Sequence, residues 1–210
     1  MSIGGSVTKE TDQPVDSPGA IAPAKEDDRI HRIHMYYGYG KGKTTCCMGL
    51  AVRALGAGRR VALVQFDKGY DGENEHYSER KVLRQLDGVM LYPTGCERME
   101  PDGTFRFGVE PEDMAEACRG LEEARRLVRE GDQDLLILDE ILAAVAYKLL
   151  QREDVMSLLD VYDANRRCEL VMSGHAVWDE LVARADLVTQ MKKVKHYYEA
   201  GTPARVGIEF

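Results

Sequence analysis

The sequence predicts an α/β fold, a mostly parallel sheet flanked by helices. Three observations predict it. Residues 61–66 (VALVQF) and 135–138 (LLIL) are continuous apolar runs, the pattern of strands covered on both faces. Such runs alternate along the chain with stretches of helical period, which is the order of a parallel sheet joined by crossover helices. A Gly-rich turn (GYGKGK) joins the first strand to the first helix.

The elements follow in order. Residues 32–37 (RIHMYY) read as the first strand. A helix over 44–55 places Cys47, Leu50, Ala51, Ala54 and Leu55 on one face, and Gly56 and Gly58 end it. After the strand at 61–66, residues 70–80 are polar and loop-like, and a short helix runs to about Leu86. A third strand covers 89–92. The stretch 93–110, with Pro93, Gly95, Pro101, Gly103 and Gly108, is longer than most connections, so it is either functional or mobile. Pro111 opens a helix to Glu130, with Glu112 and Asp113 in its first turn and Gly131 beyond its end. Its expected buried stripe is Met114, Ala117, Cys118, Leu121, Ala124 and Leu127. Strand 135–138, helices 141–150 and 154–162, strand 170–172, helix 177–185 and strand 187–191 complete the alternation, and 207–210 reads as a last edge strand. Ligands in such sheets bind at the carboxyl ends of the strands. The loops after Tyr37, Phe66, Tyr92, Leu138, Met172 and Met191 are therefore expected to border one cleft.

Composition bounds the function. The chain has 210 residues, 44% hydrophobic and 30% charged, a globular balance. Residues 1–29 are set apart as a tail rich in Gly, Ser, Pro and charge, disordered or lid-like, and 30–210 as a single domain. The net charge of −8 argues against general binding to nucleic acid or an anionic membrane. The tail holds three basic and six acidic residues, so it carries −3 and the domain −5, while Lys41, Lys43, Lys192, Lys193 and Lys195 gather in two motifs. Five cysteines, an odd number without C-x-x-C spacing, point to a reducing, cytoplasmic setting. No apolar run approaches the ~20 residues of a membrane span, and no secretory leader is predicted.

Gly38-Tyr39-Gly40-Lys41-Gly42-Lys43-Thr44-Thr45, between a strand and a helix, is where a phosphate loop belongs. Glycines let successive backbone N–H groups face phosphate oxygens, and the helix that follows offers free N–H groups and its positive dipole end. Lys43 is placed to reach the β/γ-phosphates and Thr44 to give its hydroxyl to Mg²⁺. The loop is one residue tighter than G-x-x-x-x-G-K-[ST] and carries an extra cation, Lys41. Leu135-Leu136-Ile137-Leu138-Asp139-Glu140 ends an apolar strand in two acids, the position from which a carboxylate holds Mg²⁺ or its water. The pair of features predicts a nucleoside triphosphate with Mg²⁺. His31 and His34, which flank the first strand, read as structural or solvated, and Cys46 and Cys47, in the first helical turn where the dipole could lower a thiol pKa, read rather as buried packing.

GYGKGKTT, VQFDKG with Gly72-Glu73, LDEI and DLVTQMKKVKHYYEAGTPARVGIEF together resemble the ATP:corrinoid adenosyltransferases of the bacterial cobalamin pathway, from about His34 to Phe210. The last stretch is the most specific. The resemblance implies a P-loop NTPase, RecA-like architecture. It implies attack by the Co(I) centre of a reduced corrinoid on the 5′-carbon of ATP with release of triphosphate. Lys43 then serves as the main charge clamp, Lys41 as a second, and Thr44 with Glu140 or Asp139 as the metal site. Arg53 matches a family arginine associated with the nucleoside. Lys195 and His196 match the C-terminal motif and either approach the phosphates, seal the cleft or stabilise a loop. A homodimer and a reduced flavoprotein donor are also implied. Three departures stand out. Cys96 and Arg98 occupy positions where the family often has an aromatic pair that helps remove the corrinoid's lower ligand, and Phe105 and Phe107 either substitute or anchor the loop. Ser173-Gly174-His175 replaces Thr-Gly-Arg, and Ile141-Leu142 follows the acids where many members carry a polar residue. Tyr39 stands where Asn is common. Two other functions remain open at this point: an ATPase or kinase on the same scaffold, which would form ADP, and a module that binds ATP or corrinoid without turnover.

Overall fold

The computed structural model describes residues 31–69, 72–73, 75–98, 106 and 108–210. The tail assigned to 1–29 and the aromatic pair Phe105 and Phe107 lie outside the described residues. Among the described residues the elements run β1 (Ile33–Tyr37), α1 (Lys43–Gly56), β2 (Val61–Gln65), α2 (Ser78–Leu83), β3 (Val89–Pro93), α3 (Pro111–Glu130), β4 (Leu135–Asp139), α4 (Ile141–Ala146), α5 (Arg152–Asn165), β5 (Glu169–Gly174), α6 (Asp179–Arg184) and β6 (Leu187–Gln190). A single 3₁₀ turn, Tyr197–Ala200, follows.

The six strands form one sheet in the order β3-β2-β4-β5-β1-β6. Every pairing is parallel. The strand that ends in Asp139 is separated from the strand that feeds the Gly-rich loop by β5, which is the RecA-like arrangement. Register places Gln65 beside Asp139 and Tyr37 beside Gly174, so four loops leave the sheet at one level. Strands β2 and β4 are buried along their whole length, which explains their unbroken apolar runs.

Helices cover both faces. On one, Ala117, Leu121, Ala124 and Leu127 of α3 and Val155, Leu158 and Leu159 of α5 pack on Ala62, Val64, Leu136 and Leu138. On the other, Cys47 and Ala51 of α1 pack on Leu63, Ile137 and Val171, with Leu50, Ala54 and Leu55 half-buried beside them. At a typical ~25 cal/mol per Å², each fully buried aliphatic side chain contributes about 1.5–3 kcal/mol before entropy is subtracted.

Three expectations need correction. Residues 207–210 are a turn, not an edge strand: Gly207 has φ 75° and its N–H donates to the Phe210 carbonyl at 2.6 Å. Met114 is 43% exposed and Cys118 is exposed, so neither belongs to the α3 stripe. Asp113 and Gly120 are buried instead. Gly120 lies under Phe66 and Thr94, where a Cβ would meet atoms at 2.8–2.9 Å. Helix α4 ends at Ala146 rather than at 150, and Lys148 turns left-handed with φ 63°.

Candidate active site

The predicted loops converge at the carboxyl edge of the sheet. Gly38 donates its N–H to the Gly174 carbonyl at 3.1 Å, and Gly40 to the Met191 carbonyl at 2.8 Å. The Gly-rich loop therefore rests on the ends of β5 and β6. Its glycines are required by that contact. A Cβ on Gly38 or Gly40 would lie 2.5 or 2.6 Å from the Met191 carbonyl oxygen, and Gly38 and Gly42 also have φ of 118° and 116°. Lys43 begins α1 with its side chain curled back, its ammonium donating to the Gly40 carbonyl at 3.3 Å.

Asp139 is the hub. It has no exposed surface, and its two carboxylate oxygens accept four donors. Ser173 Oγ at 2.7 Å and Thr44 Oγ1 at 3.2 Å donate to Oδ1. Lys68 Nζ at 2.9 Å and Gln65 Nε2 at 3.3 Å donate to Oδ2. Burial opposes its charge, but Lys68, Ser173 and Gln65 outweigh that and hold the carboxyl below the usual range. Neighbouring Glu140 goes the other way. Burial first and the Asp139 charge second raise its pKa. Its backbone is left-handed, φ 64°, and its N–H donates to Ser173 Oγ at 2.9 Å, which fixes the sharp exit from β4 into α4. The buried Asp139 and the partly buried Glu140 beside it are thus shifted in opposite directions.

Lys68 is a site residue that sequence reasoning did not single out, although VQFDKG contains it. Its ammonium also donates to Thr44 Oγ1 at 2.8 Å. Burial disfavours that charge, yet Asp139 and Glu140 prevail and keep its pKa above an ordinary lysine's. Arg80 of α2, fully buried, holds the turn before it, donating to Gln65 Oε1 at 2.6 Å and to the Lys68 carbonyl at 2.5 Å.

The C-terminal segment closes the other side. Lys41 Nζ donates to Glu209 Oε1 at 2.5 Å and to the Ile208 carbonyl at 2.6 Å. Tyr197 and Arg205 also donate to Glu209, and these partners hold its carboxyl far below the usual range. His196, Ile208 and Glu209 line a cleft of about 220 Å³ with Lys41, Lys43, Thr44, Thr45 and Glu140. A larger adjoining cleft of about 410 Å³ runs past Thr44, Met48, Lys68, Tyr77 and Val82 to Phe210, whose ring stacks on His76 at 4.3 Å.

Two predicted residues stand apart from this cluster. Arg53 is exposed in the last turn of α1, ten residues from Lys43, hence about 15 Å along the helix. Lys195 is exposed, and neighbouring Lys193 pairs with Glu199, so the basic C-terminal run does not all face the loop. The departures at Tyr39 and His175 prove to be neighbours. Their rings meet edge to face at 5.3 Å, and Tyr147 OH lies 3.2 Å from His175 Nδ1. Arg98, in an expected aromatic position, is a brace: it donates to Asp67 Oδ1 at 2.9 Å and to the Gly108 carbonyl at 2.7 Å.

Cys47 and Cys168 are buried, and all five cysteines are free. Among the described residues no helix is long and apolar enough to cross a membrane.

Fold and loop together define a phosphate-loop, nucleotide-binding α/β protein of RecA-like architecture. A family model described as ATP:corrinoid adenosyltransferase BtuR/CobO/CobP matches residues 29–210. The chain therefore belongs to the ATP:corrinoid adenosyltransferase family, a family of enzymes. It is 30% identical over 192 residues to the corrinoid adenosyltransferase of Escherichia coli, covering 90% of each chain. The same figures, 30% over 192 residues and 90% of each, relate it to corrinoid adenosyltransferase CobA of Salmonella typhimurium. Among solved structures, the flagellar accessory protein FlaH of Methanocaldococcus jannaschii is similar with a TM-score of 0.47 at 13% identity, over 76% of this chain and 70% of that one.

Proposed function

We propose that this chain joins the 5′-deoxyadenosyl group of ATP to the cobalt of a reduced, Co(I) corrinoid and releases triphosphate. One observation carries the reading: His196, Ile208 and Glu209, from the stretch most particular to the family, form a wall of the phosphate-loop cleft. In this reaction the cobalt electron pair attacks the 5′-carbon and a cobalt–carbon bond forms. The bond from that carbon to the triphosphate oxygen breaks, and its electrons leave with the phosphate. No proton has to move, so the protein's work is alignment and charge.

The loop amides of residues 38–44 and the start of α1 take the triphosphate. Lys43 and Lys41 neutralise charge on the leaving group. Each now holds an internal partner, Gly40 for Lys43 and Glu209 for Lys41, and exchanges it for phosphate when the nucleotide enters. Thr44, Asp139 and Glu140 are the oxygen donors that would hold Mg²⁺. A hydroxyl and one or two carboxylates, completed by substrate phosphates, suit this hard cation. Bound there, Mg²⁺ adds positive charge against the departing triphosphate. His196 seals the cleft above the loop. The family supplies the remaining terms of the reading: a homodimer and a reduced flavoprotein as electron source. Five free thiols suit a reducing, cytoplasmic setting.

The test is incubation with MgATP and a corrinoid reduced to Co(I). The expected result is a new cobalt–carbon absorption band with triphosphate as the phosphorus product. Formation of ADP would move the chain to phosphoryl transfer. Tight binding of both ligands with neither product would make it a carrier.

A further inference from the structure

The Thr44 hydroxyl and the Asp139 carboxylate are the groups that phosphate-loop chemistry assigns to a divalent cation. Both are already engaged by one positive group. Lys68 Nζ stands 2.8 Å from the first and 2.9 Å from the second. Thr44 donates its proton toward Asp139 Oδ1 and accepts from Lys68. Its lone pairs therefore face the ammonium. The lysine is not a passing surface group. Its side chain is 11% exposed, its backbone N–H is tied to the Thr94 carbonyl at 2.9 Å, and its carbonyl is held by Arg80.

We propose that Lys68 is the resident cation of the metal site. Its ammonium occupies the Thr44–Asp139 pair in the nucleotide-free protein, and a divalent ion enters only when a triphosphate takes the ammonium over. The inference rests on the reading of this cleft as a metal–triphosphate site. Charge explains the coupling. Lys43 and Lys68 match Asp139 and Glu140 even when both carboxyls are ionised, so the cluster has no negative charge to spare. A divalent ion added alone leaves two positive charges in a largely buried pocket. The same ion added with a triphosphate carries its own surplus of negative charge, and the released ammonium gains an anionic partner. Lys68 also lines the adjoining cleft with Thr44 and Thr45, so it lies where a bound triphosphate can receive it. An arginine would keep the charge but replace a compact ammonium by a wide fork.

Calorimetric titration with Mn²⁺ as the probe tests this. Wild type should bind Mn²⁺ poorly alone and well as Mn²⁺–ATP, and should keep binding ATP in EDTA. Lys68→Met should bind Mn²⁺ alone roughly tenfold or more tighter than wild type, because a repelling charge has gone. Lys68→Arg should show no such gain. Equal Mn²⁺ affinity in wild type and Lys68→Met overturns the proposal, as does an equal gain in the arginine variant. If the methionine variant does not fold, wild type decides: micromolar Mn²⁺ binding without nucleotide overturns it, and millimolar binding rising sharply with ATP supports it. Failure of wild type to bind ATP at all, with or without Mn²⁺, would instead sink the reading of the cleft.

Discussion

Asp139→Asn changes one atom and should reveal how the site is held together. The carboxylate is fully buried and takes four donors. An asparagine supplies one acceptor and one donor group. Its carbonyl will face Lys68 and Gln65, because an ammonium cannot accept a hydrogen bond, while Ser173 and Thr44 can rotate their hydroxyls to accept from the amide. Geometry is then almost saved, but the charge is not: Lys68 keeps its ammonium in a buried place without its nearest counter-ion. Removing one partner of a buried pair costs about 3–5 kcal/mol. Glu140 remains in the field of Lys68, so the lower end applies, about 3 kcal/mol. For a chain of this size each kcal/mol lowers Tm by about 2–4 °C, so the expected fall is roughly 6–12 °C. The assay is thermal and urea unfolding of the nucleotide-free protein. The double variant Asp139→Asn with Lys68→Met removes both charges and should recover most of the loss. A single-variant loss below about 1 kcal/mol, or a double variant as unstable as the sum of the singles, would refute the pairing.

Three further outcomes are expected. Gly40→Ala pushes a Cβ to 2.6 Å from the Met191 carbonyl oxygen, so the fold should lose only about 1–3 kcal/mol while ATP binding, read by calorimetry, is largely lost. Lys41→Met frees the C-terminal turn from the loop. Carboxypeptidase should remove Phe210 faster by mass spectrometry, with stability changed by less than about 1 kcal/mol. Asp113 is held at about 2, chiefly by the Arg106 fork at 2.7 and 3.0 Å. Because its folded pKa is depressed from 3.8, its stabilisation is complete above that value and is lost as pH falls toward 2. Arg106→Gln should flatten the pH dependence of unfolding between those limits, as followed by urea melts.

The central strands β2 and β4 were legible because burial on both faces leaves no polar alternation to confuse the pattern. Helix α3 was legible to the residue because Pro111, two acids and Gly131 mark its ends by local chemistry. Its stripe was misjudged at Met114 and Cys118, where Asp113 and Gly120 are buried instead. Asp113 is carried inside by Arg106, seven residues earlier in the connection that leads into the helix, and Gly120 is small because Phe66 and Thr94 cross above it. The apparent alternation of Ile208, Glu209 and Phe210 hid a turn whose shape comes from Lys41, Tyr197 and Arg205 gripping Glu209. In the site, the Gly-rich loop and the two acids announce themselves by spacing. Lys68 does not, since its importance arises from register across β2 and β4 and from Arg80 beneath it.

The seating of the Gly-rich loop on the Met191 carbonyl has a kinetic side. The loop is already shaped without a ligand, so little ordering has to be done on binding. Its footing, however, is the end of β6, the four-residue edge strand whose residues are all exposed. Edge strands open more readily than central ones. When β6 peels away, the amide of Gly40 loses its acceptor and the cradle loses its template. Each such opening of the exposed edge strand takes the molecule out of the form that receives a nucleotide. Variants that speed amide exchange along residues 187–191 should therefore take up nucleotide more slowly.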